Sequence, residues 1–197
     1  MERNVKISLE KAREWYNSGN ESLREVALQA FKESELVEKP WELIKTFEDA
    51  CRVLNINSDM IHLIFDGHLK SMYKLKVIKK ALNGAEWEPN LNTGTIYYPL
   101  LRCCTKGSSY DSRCIPVANF IDKKNNEVYT LVGGECSCHH YGGGLGIFCG
   151  RFGSVYPASG LFGCKSEEIA EYFGNAFGKL IFDVIYGQYN NYTWMEK

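Results

Sequence analysis

The chain has 197 residues, enough for one substantial core or two small ones, and a formal net charge of −1, which gives no global field toward nucleic acid or an anionic surface. No run approaches the roughly 18 consecutive apolar residues of a spanning helix, and the charged opening MERNVKISLEKAREW lacks the apolar stretch of a signal peptide. A cytoplasmic protein with no membrane partner is expected, its eight cysteines reduced and acting mainly as small buried hydrophobes.

Ser8 is placed to cap a first helix with Leu9, Ala12, Trp15 and Tyr16 on one face, and Ser18-Gly19-Asn20 stops it. A second helix carries Leu23, Val26, Ala27, Ala30 and Phe31 on one side. Pro40 suits the first turn of a third, with Trp41, Ile44, Phe47, Ala50 and Leu54 inward. A further helix over 68–83 turns Leu69, Met72, Ile78 and Leu82 inward and ends at Asn83-Gly84. The composition then changes. Residues 1–90 hold 29 of the 47 charged side chains but three of 18 glycines and one of eight cysteines. That contrast separates a helical region, 1–88, from a strand-rich region, 89–197, with the two expected to pack together.

Past Glu88-Pro89 the runs are short and β-like. Thr95–Cys104 and Cys114–Ile121 read as strands, Asp122–Asn126 as a turn and Glu127–Val132 as the return, a hairpin over 114–132. Further strands are expected near 145–152 and 159–164. Ser166 opens the clearest helix, whose stripe of Ile169, Phe173, Ala176, Phe177, Leu180, Ile181, Val184 and Ile185 must be covered, most simply by one sheet face. Gly174 and Gly178 either permit close backbone approach there or occupy a tolerant surface turn. The fold class is therefore α+β: N-terminal helices followed by an antiparallel sheet packed against a long C-terminal helix.

Four segments carry a family likeness: Ile7-Ser8-Leu9-Glu10-Lys11-Ala12 with Ala27-Leu28-Gln29-Ala30-Phe31; Pro40-Trp41 with Phe47-Glu48-Asp49-Ala50-Cys51; Tyr73-Lys74-Leu75 through Ala81-Leu82-Asn83, Trp87 and Tyr97-Tyr98-Pro99; and Cys164-Lys165-Ser166-Glu167-Glu168-Ile169-Ala170-Glu171-Tyr172-Phe173-Gly174. On these the chain resembles uncharacterised proteins of phages and prophages of gut bacteroidetes, including crAss-like phages. The likeness skips most of 100–158. Leu161-Phe162-Gly163-Cys164 departs from the leucine-rich stretch and phenylalanine that such proteins often carry near the Lys-Ser. The family has no assigned activity, so no catalytic residue transfers. The resemblance implies a phage-related origin and a place as a virion component or host-interaction factor in the bacterial host's cytoplasm.

The sharpest chemical cluster is Cys136-Ser137-Cys138-His139-His140, between Gly133-Gly134 and Gly142-Gly143-Gly144. On a strand Cys136, Cys138 and His140 alternate onto one face, but at about 6.6–7 Å apart. Sharing a zinc would need a bend, which the glycines allow, and a fourth ligand from Cys103, Cys104, Cys114 or Cys149. No paired C-x-x-C supports zinc, so buried thiols beside surface histidines are the competing reading. A catalytic thiol would need a base, and adjacent Cys-His residues on a strand point to opposite faces.

Gly144-Leu145-Gly146 fails as a dinucleotide fingerprint, because Cys149 stands where the third glycine belongs. Lys70, Lys74, Lys76, Lys79 and Lys80, with no acid from Gly67 to Ala85, form either a solvated face or a phosphate contact, and nucleic acid is not the expected partner. A concave ligand site in the strand-rich region would draw on Arg113, His139, His140, Tyr141 and Arg151. The aromatic segment Tyr186–Trp194 suits either a contact surface or a tail packed on its own domain.

No coherent catalytic set emerges, and no catalytic residue or required cofactor is assigned, zinc being the one metal considered. The favoured expectation is a non-enzymatic binding or structural protein, a virion or assembly component with protein partners or a homo-oligomeric state. A small-molecule or nucleotide binder that blunts host defence is the alternative. A metal- or thiol-dependent enzyme centred on Cys136–His140 is the third.

Overall fold

The computed structural model describes residues 7–88, 95–107, 115–140, 162–187 and 191–196, with backbone alone for 134–140. Two compact units divide the chain, Met1–Leu43 and Ile44–Lys197.

In the first unit α1 (Leu9–Asn17), α2 (Glu21–Ala30) and α3 (Glu33–Leu36) precede a 3₁₀ turn at Pro40–Leu43. The Ser8 hydroxyl accepts from the Lys11 N–H at 3.2 Å, which caps α1 where the sequence predicts, and Asn20 caps α2 in the same way. Ala12, Ala27 and Leu36 form a small buried centre, with Ile7, Leu9, Trp15, Tyr16 and Phe31 packed around it. The Tyr16 hydroxyl donates to the Glu33 carboxylate at 2.6 Å, beneath the Arg24 guanidinium 4.7 Å from the ring. That bond raises the phenol's pKa, because ionisation would set two anions side by side.

The second unit is the α+β body that the sequence implies. Four strands, β1 (Thr95–Thr105), β2 (Ile115–Asp122), β3 (Val128–His140) and β4 (Tyr192–Trp194), form one antiparallel sheet in the order β1-β3-β2-β4. The β2–β3 hairpin closes on Asp122, whose carboxylate accepts from the Lys124 N–H at 3.0 Å, with Asn126 at a left-handed φ of 56°. β3 runs on past Val132 through Gly133-Gly134 to His140 and pairs with β1 on both sides of a register shift between Leu100 and Arg102. The strands expected at 145–152 and over most of 159–164 lie outside the described residues. Cys164 does make an antiparallel bridge to Tyr97.

One sheet face is covered by α6 (Glu167–Tyr186), capped by Ser166 through the Ile169 N–H. Ile169, Phe173, Phe177, Ile181 and Val184 of the expected stripe are buried, joined by Phe182, whereas Ala176 is exposed. Gly174 and Gly178 resolve in favour of close approach. A Cβ on Gly174 would lie 3.0 Å from Pro99 Cβ, and one on Gly178 would lie 3.2 Å from Leu101 Cδ2 and 3.3 Å from Val117 Cγ1. The helix backbone therefore rests directly on β1 and β2.

The helix expected from Pro40 onward is two elements. Pro40 opens the 3₁₀ turn of the first unit, and α4 (Phe47–Leu54) starts separately in the second. The break has a local cause: Thr46 accepts from the Asp49 N–H at 3.1 Å while Asp49 accepts from the Thr46 N–H at 2.9 Å, a reciprocal box that starts a new helix. A second 3₁₀ turn, Ser58–Leu63, leads to α5 (Gly67–Asn83), which packs against α4 and α6 and ends at Gly84 with φ 90°. Leu75, Val77, Ile78, Ala81 and Leu82 are buried on α5. Leu69, expected inward, is 56% exposed, because nine residues from Ile78 place it half a turn round the helix, on the face opposite the buried one.

Asn83, only 1% exposed, ties α5 to the segment before α6. Its amide donates to Lys79 O at 2.9 Å and Gly163 O at 3.3 Å, and its oxygen accepts from the Lys165 N–H at 2.7 Å. One side chain thereby satisfies the Gly163 carbonyl and the Lys165 N–H across the join and adds a bond to the Lys79 carbonyl of its own helix.

Candidate functional site

Arg113, Tyr141 and Arg151 lie outside the described residues, as do the side chains of Cys136, Cys138, His139 and His140. Their backbone course is given from Cys136 to His140. Cys136 stands opposite Pro99, Cys138 opposite Tyr97, His139 opposite Ile96 and His140 opposite Thr95, so this stretch is a regular strand at the β1 edge of β3. Among the described residues no three His, Cys, Asp or Glu side chains converge as a metal site would require, and no helix is long and apolar enough to cross a membrane.

The described cysteines sit in the core or its margin. Cys51 and Cys164 are buried, and Cys103 and Cys104 are half-buried. Burial, and then the neighbouring Cys104, pushes the Cys103 thiol up to about 12; burial likewise raises Cys51. Such thiols remain protonated at neutral pH and are poor nucleophiles.

The lysine run divides in two. Lys74 sits 5.7 Å from the Phe47 ring centroid and Lys79 sits 6.0 Å from that of Trp87. Burial lowers the Lys79 pKa, with Glu88 opposing that shift and Lys76 and Lys80 adding to it. Lys76 and Lys80 are exposed, and among the described residues neither is within ion-pair distance of an acid.

The most unusual surface lies just before them. Met60 is 49% exposed, Leu63 66%, Phe65 97% and Leu69 56%, an apolar ridge along the second 3₁₀ turn and the first turn of α5. Asp66 caps α5, its carboxylate accepting from the Leu69 N–H at 2.7 Å. Phe65 therefore stands immediately before the cap, where an apolar residue ordinarily packs on the side chain five positions ahead. That position holds Lys70, so the phenyl ring has no staple and projects into water. The sequence did contain this signal: Phe-Asp-Gly ahead of a helix whose first turn offers Lys70.

A second feature is a groove of about 790 Å³ between β2, α6 and the tail, lined by Val117, Asn119, Asn175, Lys179, Trp194 and Glu196 among others. The Lys179 ammonium lies 5.1 Å from the Trp194 ring centroid. Asn175 Oδ1 is buried without a hydrogen-bond partner, and a Cβ on Gly133 would lie only 2.6 Å from it. β4 walls this groove. Tyr192 Oη and Trp194 Nε1 each donate to Asp183 Oδ1 at 2.7 Å, and burial together with that carboxylate raises the Tyr192 pKa strongly. The aromatic tail is thus packed on its own unit, the second of the two readings of Tyr186–Trp194.

Compared with protein-family models, curated proteins and solved structures, the chain matches none of them.

Proposed function

We propose that the protein acts by binding another polypeptide through the Met60–Leu69 ridge, without catalysis, as a virion or assembly component in the phage or prophage setting that its sequence resemblance implies. One observation carries this reading: Phe65 is 97% exposed, and three further apolar side chains within six residues of it along the chain are exposed as well. Single exposed apolar residues are ordinary, but an aromatic with Leu and Met neighbours at one ridge has the composition of an interface centre. Covering the phenyl ring recovers about 1.5–3 kcal/mol, the scale of an interface anchor.

A photo-crosslinking phenylalanine analogue at position 65, in the full chain expressed in bacterial cells, tests this. Discrete polypeptide adducts are expected at position 65 and not from the same analogue at exposed Lys124. Equal adduct patterns at the two positions would remove the reading.

The groove beside Lys179 and Trp194 favours a second reading, a small-molecule or nucleotide binder that counters host defence. A specific ligand at about 100 times its dissociation constant adds about 2.7 kcal/mol of stability. A thermal shift for a nucleotide that disappears in Lys179→Ala supports this reading, and no shift across linear and cyclic nucleotides excludes it.

A further inference from the structure

We infer that the polypeptide bound at the ridge is a second copy of this chain, docked so that the two α5 helices run antiparallel. This rests on the reading of the ridge as a protein-binding surface and adds the identity of its occupant.

The exposed non-glycine positions of α5 are Leu69, Lys76 and Lys80, spaced seven and four apart, with half-buried Met72 and Tyr73 between them. They form one stripe along the helix, apolar at its N-terminal end and basic at its C-terminal end. Phe65 and Asp66 extend the apolar end. Lys76, Lys79 and Lys80 crowd one another at the other end, and α5 itself offers no acid after Asp66.

Antiparallel pairing about a two-fold axis near Met72 and Tyr73 complements both ends at once. Leu69 then lies against the aliphatic stem of the second copy's Lys76. Phe65 and Asp66 meet the second copy's Lys80, one offering a ring face and the other a carboxylate. The chain already seats lysines over aromatic rings at Phe47, Trp87 and Trp194, so the contact repeats an arrangement used three times within it. Each contact occurs twice, as an isologous interface requires. A parallel arrangement would instead set lysines against lysines. Two helices of 17 residues make a small contact, and micromolar rather than nanomolar association is expected.

Zero-length carbodiimide cross-linking of the full chain, followed by peptide mass spectrometry, tests this together with sedimentation at roughly 100 μM. Asp66 and Lys80 lie about 21 Å apart along a single helix, so a direct amide between them forms only between two chains. The expected result is a dimer containing the Asp66–Lys80 link. It should weaken about tenfold or more in Phe65→Ser and in Lys80→Glu, with unchanged circular dichroism because both residues are exposed. A monomer at that concentration, or a dimer that lacks the link and is indifferent to both substitutions, overturns the inference. Adducts from position 65 to a different polypeptide, with a monomeric chain, would preserve the reading of the ridge while excluding the second copy. Absence of every adduct would remove both.

Discussion

Phe182→Ala is expected to cost about 3–5 kcal/mol of unfolding free energy, measured by urea denaturation of the full chain. Phe182 is fully buried at the centre of an aromatic cluster. Its ring centroid lies 4.9 Å from Phe120, 4.7 Å from Tyr186, 4.9 Å from Tyr192 and 5.4 Å from Trp194. Three separate parts of the sequence therefore meet on one ring: β2, α6 and β4. Truncation leaves a void that these rigid neighbours fill poorly, because each is also held elsewhere. Phe120 pairs in the sheet, and Tyr192 and Trp194 are tied to Asp183. The edge-to-face contacts add about 0.5–1.5 kcal/mol per pair beyond burial. A typical domain has about 5–15 kcal/mol in total, so the variant should be close to unfolding at physiological temperature. A loss under about 1 kcal/mol would show that the rings do not act as a unit.

Asn83→Leu is expected to cost about 2–4 kcal/mol by the same measurement, although it keeps the branched shape and adds apolar surface. The loss comes from Gly163 O and the Lys165 N–H, which lose a partner at a buried site, each at about 1–3 kcal/mol. Asn83→Asp separates this from a volume effect. Its second oxygen would face the Lys79 and Gly163 carbonyls, where only a protonated carboxyl can donate. The carboxyl pKa is thereby raised above its unfolded value, so this variant should be near wild type at low pH and lose stability as pH rises through the carboxylate range. Similar losses for Asp and Leu at every pH would sink the hydrogen-bond account.

What was legible in the sequence was whatever depends on neighbours along the chain. Ser8 and Ser166 start helices, Gly84 ends one and Asp122–Asn126 turns a hairpin, each through bonds spanning a few residues. The stripe on α6 correctly required a sheet beneath it. Leu69 was expected inward with Ile78 and Leu82, yet it stands nine residues before Ile78, half a turn round the helix, on the exposed face it shares with Lys76 and Lys80. The Pro40 helix failed for a different reason, since the Thr46–Asp49 box was present but a continuous apolar spacing ran across it. Of the ridge, only the unstapled Phe65 before the Asp66 cap was legible, and the exposure of Met60 and Leu63 is a property of the folded surface. The side chains of Cys136, Cys138, His139 and His140 belong to neither class, and only their strand register is described.

β4 has a bearing on how the chain is made. A ribosome delivers the N-terminal helices, both arms of the β2–β3 hairpin and α6 before it delivers Tyr192 and Trp194. Until those two residues emerge, Phe120 and Phe182 lack two of their aromatic neighbours and the outer edge of β2 at Phe120–Asp122 is unpaired. Folding of the second unit during synthesis therefore stays incomplete until its closing strand is released, and a nascent chain paused just short of Tyr192 presents an apolar face and a sticky strand edge to its surroundings.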